Sequence, residues 1–421
     1  MMKICDNLQN KDRKGRSYIS MSRTFDIIAK EQARQNANIE LIASENFVSE
    51  NIMRAVGSVL TNKYTEGYPA KRKNDVGRAG RYYGGCEVCD ELEEYCCEMW
   101  RQVFNTDYHV NVQPHSGSQA NMAAYMSILN IGDTILGMDL DAGGHLTHGS
   151  PVSFVTKLYN VVSYGVDENG ILDYSDIEAK IRAHKPKLVL AGASAYSRVI
   201  DFEKIYGFIQ QIKAEDREYQ PYFMVDMAHI AGLVAAGKHP SPFGYADLIT
   251  TTTHKTLRGP RGGLIFCRQE LASKVDASIF PRCQGGPLQH VIAGKAVCAE
   301  EALSPEYKEY IGKVVDNCKA MAEEFVKLGY KIVSGGTDNH LFLLDLTGHN
   351  ITGLELQENC DKNGITLNKN SIPNDPLGPK LASGVRIGTA AMTTKGYTAE
   401  DFCAVARKID DLIKNIEKEK A

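Results

Sequence analysis

Between Asn111 and Arg268, short apolar runs alternate with helix-like stretches, and this alternation restricts the possible folds more than any other feature of the chain. The runs are Thr134–Met138, Val161–Tyr164, Lys187–Ala191, Tyr222–Val225, Ala246–Thr250 and Leu264–Cys267. Amphipathic segments such as Tyr174–His184 and Phe202–Glu215 lie between several of them. Strands separated by helices need crossover connections, so the pattern predicts an α/β fold with a mostly parallel sheet and helices on its faces. Ligands of such sheets bind at the carboxyl ends of the strands, which is where Ser194, Asp226 and Lys255 fall.

Beyond Ser304 the pattern changes. Helical periodicity over Tyr307–Leu328 leads into strand-like Tyr330–Val333 and His340–Leu346, then helical Thr352–Asn363 and Ala399–Lys418. We therefore expect an N-terminal helical arm over residues 1–50, a large domain over 51–303 and a smaller α+β domain over 304–421. In the 421 residues, 48 Lys and Arg nearly balance 52 Asp and Glu, for a net charge of −4. That balance argues against nucleic acid or an anionic membrane as the main partner. No run approaches the ~18 apolar residues of a membrane span. Met1–Arg23 has no apolar block like that of a signal peptide, so a cytoplasmic location is expected. The eleven cysteines are odd in number and scattered, which suits a reducing compartment. Cys86 and Cys89 have metal-like spacing, but no second Cys or His pair completes a set, so no metal site is expected.

Lys255 follows the threonine run Thr250–Thr253 and His254, and the run ending at Val225 is followed by Asp226 and then His229. Singly, Lys255 would pass for a solvated loop lysine and Asp226 for a helix cap. Together they suit a pyridoxal phosphate site. The amine forms a Schiff base, and the carboxylate keeps the pyridine nitrogen protonated so that the ring can accept electrons. The Ser116-Gly117-Ser118 turn precedes helix-like Met122–Leu129 and offers free N–H groups to a phosphate, although a plain N-cap has the same look. Rival phosphate motifs fail: no Gly-x-Gly-x-x-Gly follows a strand, and Gly294-Lys295 lacks the rest of a P-loop.

Further candidates lie in glycine-rich surroundings. After Gly143-Gly144, His145 could lie flat on an aromatic cofactor, whereas His148 reads as structural. Glu66, between Tyr64 and Tyr68 and upstream of Tyr82-Tyr83, is an acid/base candidate, with a solvated loop carboxylate as the alternative. Arg386 sits in strand-like Ser383–Thr389 and needs an anion there: either a substrate carboxylate or a structural salt bridge.

These pieces, with Leu41–Asn46, the Tyr64–Pro69 loop, the Gln113–Asn121 turn, Val225–His229, the lysine loop, Gln284–Pro287 and Asn370–Asp375, occur in the order of a known family. The chain resembles serine hydroxymethyltransferase, a pyridoxal phosphate enzyme of the aspartate-aminotransferase type (fold type I). The resemblance implies that Lys255 carries the cofactor as an aldimine beside Thr252, that Asp226 pairs with the ring nitrogen and that His145 stacks on the ring. Ser194 and His229 would contact the phenolate side. Gly117, Ser118 and His254 would hold the phosphate, joined across a homodimer interface by Tyr64, Gly285 and Gly286. Arg386 and Ser44 would bind the amino acid. Glu66, with Tyr83 in the same pocket, would handle protons. Tetrahydrofolate would lie against Leu140, Gly144, His145, Leu146, Asn370, Leu377, Gly378 and Pro379.

The activity so implied is reversible transfer of the serine hydroxymethyl group to tetrahydrofolate, giving glycine and 5,10-methylenetetrahydrofolate, in one-carbon metabolism. The chain departs from the family in two places: the long Ala70–Arg81 link before Tyr82-Tyr83, and Ala142 where a histidine is expected. The rivals are a folate-independent aldolase or aminotransferase on the same scaffold, and a binding protein that has kept the fold without catalysis.

Overall fold

The structure, a computed structural model, describes residues 23–69 and 80–421. A seven-stranded sheet runs in the order His109–Asn111, Gly263–Cys267, Leu248–Thr252, Tyr222–Asp226, Leu188–Ala191, Thr134–Met138, Asn160–Tyr164. The last five are mutually parallel, and the first two add antiparallel at one edge. The inner strands are buried along their length, which explains their near-continuous apolar sequences. Helices Tyr174–His184 and Phe202–Glu215 begin where Asp173 and Asp201 accept backbone N–H bonds as N-caps.

Two details differ from the sequence reading. The strand expected at Ala246–Thr250 lies at Leu248–Thr252, because Thr251 and Thr252 continue the ladder opposite Leu264 and Gly263. His109–Asn111 was not expected as a strand, since one valine between polar residues gives no alternation to read.

The main core centres on helix Glu87–Phe104. Trp100 stacks on Phe104 at 5.9 Å between ring centroids, and Phe104 meets Phe243 at 5.2 Å and Phe266 at 5.3 Å. A second core, containing Phe325, Phe342 and Phe402, lies under a four-stranded antiparallel sheet ordered Asn368–Asn370, Gly384–Gly388, Leu341–Asp345, Lys331–Ile332. Helix Pro305–Lys327 joins the two, giving Tyr307, Ile311 and Val314 to the first core and Cys318, Met321 and Phe325 to the second. Upstream, helix Arg23–Ala37 buries no residue, and Ile39–Glu40 then pairs in parallel with Ile365–Thr366. Among the described residues, no helix is long and apolar enough to cross a membrane.

The strand ends are crowded. Gly192 adopts φ +122°, and a Cβ there would lie 2.1 Å from the carbonyl oxygen of Asp226, so only glycine lets the chain pass this close to the strand end. Phe104→Ala should lower the unfolding free energy by about 3–5 kcal/mol, since it opens a cavity among three aromatic rings; denaturant unfolding followed by Trp100 fluorescence measures it.

Candidate active site

A cavity of about 330 Å³ opens where the parallel strands end, lined in part by Ser118, His145, Asp226, His229, Thr252, Lys255 and Arg386. Each element delivers its residue for a local reason. Asp226 terminates its strand, and Lys255 lies in the turn that follows Thr252. Arg386 points in from Gly384–Gly388 of the other sheet, so the site lies between the two cores. Gly117 and Ser118 open helix Gly117–Ile128, whose N-cap Ser116 accepts the Gln119 N–H at 3.2 Å. A Cβ at Gly117 would meet Thr252 Cγ2 at 2.6 Å, so glycine is what lets the helix N-terminus approach the lysine loop.

Asp226 is held by a chain of hydrogen bonds. Thr250 Oγ1 donates to Asn121 Oδ1 at 2.6 Å, which turns the Asn121 amide nitrogen toward Asp226 Oδ2 at 2.8 Å and Thr147 Oγ1 at 2.8 Å. His148 Nδ1 accepts the His145 N–H at 3.2 Å, so a neutral His148 carries its proton on Nε2 and donates it to Asp226 Oδ2 at 3.1 Å. The Ala228 N–H donates to Oδ1 at 3.0 Å. Burial alone would raise this carboxyl, but His148, His145 and Asn121 outweigh it and hold Asp226 well below the usual carboxylate range. His145, His148 and Asp226 each bring a ligand-type atom within 4.8 Å of the others. Here those atoms bond to one another and to Thr147.

Burial, with help from Arg386 and Arg261, brings the Lys255 amine down to about 8 against the pull of Asp226. Burial likewise lowers His145 to about 4 and His254 to about 3, so both rings are neutral. His229 stacks on His340 at 5.4 Å, with His229 Nδ1 3.2 Å from His340 Nε2. Arg386 donates to the Ser194 carbonyl at 2.8 Å and to Asn368 Oδ1 at 3.2 Å, and its Nη2 lies 3.5 Å from Ser44 Oγ. Among the described residues no carboxylate pairs with it, so the structural salt bridge left open above is not what holds Arg386. Thr252 Oγ1 and His254 Nδ1 are buried without hydrogen-bond partners, as suits a pocket built for a polar group.

A second cavity of about 260 Å³ adjoins the first and shares His145, Ser194 and Arg386 with it. Leu140, Gly144, Leu146, Asn370 and Pro379 line it, whereas Leu377 and Gly378 do not. Ala142 turns into the main core instead.

Tyr64, Glu66, Tyr83, Gly285 and Gly286 gather elsewhere. Tyr64 Oη donates to Glu66 Oε1 at 3.3 Å, and the Tyr64 and Tyr83 rings meet edge-to-face at 5.0 Å. A Cβ on Gly285 would touch Glu66 Oε1 at 3.1 Å, and one on Gly286 would touch the Tyr64 ring at 3.2 Å. None of the five lines the Lys255 cavity. The long link lies mostly outside the described residues, but its end is fixed. Arg81 donates to the Thr65 and Gly67 carbonyls at 2.9 and 2.8 Å, and the Tyr82 N–H to the Glu66 carbonyl at 2.9 Å. Tyr83 is thereby held beside Glu66.

The sequence reading missed Asn121, Thr147, Asn368 and His340, and gave His148 no partner. Asn121 carried a signal, since four residues after Gly117 it lies on the same face of the helix. Thr147 lies two residues from His145 but carried no signal of its own, and Asn368 and His340 come from distant segments.

The family model for serine hydroxymethyltransferase matches residues 20–409. The chain belongs to the serine hydroxymethyltransferase family. It is therefore a pyridoxal phosphate-dependent transferase of fold type I that exchanges the hydroxymethyl group between serine, glycine and tetrahydrofolate. Only the neutral form of the lysine amine attacks an aldehyde, so the rate of imine formation should rise with pH and level off above about 8. Stopped-flow absorbance of apoenzyme mixed with pyridoxal phosphate checks this; a midpoint near the ordinary lysine value of about 10.4 would contradict it.

Proposed function

We propose that the cavity around Lys255 is where the hydroxymethyl group leaves serine and the adjoining cavity is where tetrahydrofolate captures it. The observation that carries this is the convergence of Lys255, Asp226, His229 and Arg386 on one space, with no carboxylate among the described residues paired with Arg386. The cofactor, when bound to Lys255, supplies an electron sink for the carbon–carbon bond that breaks. Asp226, kept ionised by Asn121 and His148, would pair with the ring nitrogen. His145 would stack on the ring, and Ser194 and His229 would contact its phenolate side. Gly117, Ser118 and His254 would hold the phosphate. The Arg386 fork would take the amino acid carboxylate, with Ser44 beside it, and so orient the substrate. Thr252, which lines the same cavity as Lys255, would assist its release.

Leu140, Gly144, Leu146, Asn370 and Pro379 would receive the folate. Leu377 and Gly378 would act through the chain that positions Pro379. The enzyme so described works reversibly in one-carbon and glycine/serine metabolism. The scattered thiols suit the cytoplasm.

Glu66, the proton-handling group, lies away from Lys255 within one chain, which is why we infer a homodimer with shared sites. The Tyr64–Glu66–Tyr83 cluster with Gly285-Gly286 would enter the partner's cavity. In support, Tyr64 is 54%, Tyr82 79% and Tyr83 41% exposed, an unusual concentration of bare aromatic surface. We further propose the division into residues 1–50, 51–303 and 304–421, with the first as an arm.

Serine cleavage measured with and without tetrahydrofolate tests the activity, and strong dependence on the folate is expected. Arg386→Lys should lower kcat/KM for serine by roughly 100-fold, mostly through KM, because a point charge replaces a two-pronged donor. Mixing Lys255→Ala with Glu66→Gln chains should regenerate one intact site per hybrid dimer. In a random mixture that is about a quarter of wild-type activity. No regain over either parent would remove the shared-site reading.

A further inference from the structure

Among the described residues, Lys295 is a fully buried cation whose role the reaction does not account for. It lies on helix Gln289–Ala302, is 1% exposed, and donates to the carbonyls of Val112 at 2.7 Å, Pro114 at 2.9 Å and Gly263 at 2.9 Å. An ammonium group has three hydrogens, so these acceptors use all of them. Among the described residues no carboxylate pairs with it, and burial brings its amine down to about 8. The packing is built around it. A Cβ on Gly262 would lie 2.4 Å from Lys295 Cε, so glycine there leaves the side chain its path.

The three carbonyls belong to two segments that meet at the Ser116–Ser118 turn. Val112 and Pro114 lead directly into it, and the Gly263 N–H in turn donates to Pro114 at 3.0 Å. A Cβ on Gly263 would lie 2.5 Å from the Ser116 carbonyl oxygen, so the second segment runs against the turn itself. Drawing these carbonyls onto one ammonium ties the two segments together and fixes the start of helix Gly117–Ile128. It also leaves a buried positive charge close to the turn, with Glu93 acting on it and little water to screen it.

We propose that Lys295 is a positioning residue for the cofactor phosphate, acting through the Val112–Ser118 segment and through its own buried charge without touching the ligand. This rests on the assignment of the Ser116–Ser118 turn to the phosphate. The role is specific to the dianion, so removing Lys295 should weaken pyridoxal phosphate far more than pyridoxal, which has the same aldehyde and ring. A side chain that merely supports the fold would weaken both alike.

The test uses full-length apoenzyme, titrated with each aldehyde and read by the absorbance of the imine band, for wild type, Lys295→Met, Lys295→Gln and Ser118→Ala. For Lys295→Met, pyridoxal phosphate affinity should fall by at least about tenfold while pyridoxal changes by less than about twofold. Lys295→Gln keeps two N–H donors without the charge, and should lose the same selectivity in part. If Met at this position prevents folding, the Gln variant carries the comparison. Equal losses for both aldehydes in the folded variants, or no loss, would overturn the proposal. Ser118→Ala separates the two levels. If it shifts the phosphate preference and the Lys295 variants do not, Lys295 is excluded while the phosphate assignment stands. If Ser118→Ala leaves the preference unchanged, the phosphate assignment itself is wrong and the inference about Lys295 falls with it.

Discussion

The ionised carboxylate of Asp226, buried at a strand end, is the constraint around which the rest of the molecule is arranged. A lone carboxylate in such a place would take up a proton, since burial disfavours its charge. Here two side-chain donors and one backbone N–H surround it, and each is itself fixed by a further bond: Asn121 by Thr250, and His148 by the His145 backbone. Strand order supplies the geometry. Tyr222–Asp226 lies between Leu188–Ala191 and Leu248–Thr252, so both flanks of Asp226 are strand ends, and Gly192 on one flank is small enough to pass beside its backbone.

The second dependence is on the join between the two cores. Arg386 belongs to the small sheet and Lys255 to the loop after a large-sheet strand, yet both face one cavity. Several groups fix their relative placing, Asn46 among them. Asn46 Nδ2 donates to the Lys255 carbonyl at 3.0 Å and to Tyr310 Oη at 2.8 Å, and its Oδ1 accepts from Thr394 Oγ1 at 2.7 Å. The segment Leu41–Asn46 thus works as a strap, anchored in the second core by Leu41 and at the lysine loop by Asn46.

The sequence disclosed the parallel sheet because its strands are buried on both faces and so are written as unbroken apolar runs. It disclosed Asp226 and Lys255 because each follows such a run, and the Gly117-Ser118 turn because only small residues fit there. What it hid depends on distance along the chain. His340 lies 111 residues from His229, and Asn368 is brought to Arg386 only by an antiparallel pairing in the small sheet. The Glu66 cluster was legible as chemistry but not as location, since nothing local says whether a loop faces its own cavity or another chain's.

Burial first, and charge second, keep the histidines of this site neutral. Besides its histidines, the Lys255 cavity is lined by the basic residues Lys255, Arg261 and Arg386, against a single carboxylate among the described residues, Asp226. A surplus of positive charge in a buried space favours anions and opposes further protonation. Burial and the cations together push His145, His229 and His254 below their ordinary range, with Lys255 acting on all three. Neutral rings can stack on or accept from a ligand without competing for its charge. In the proposed site the surplus would serve the ligands, since one phosphate and one amino acid carboxylate would bring the negative charge that the protein withholds. Burial, helped by Arg386 and Arg261 of the same cavity, brings Lys255 down to about 8, so its amine is also easier to release uncharged. The surroundings that would select the ligands therefore also prepare the amine.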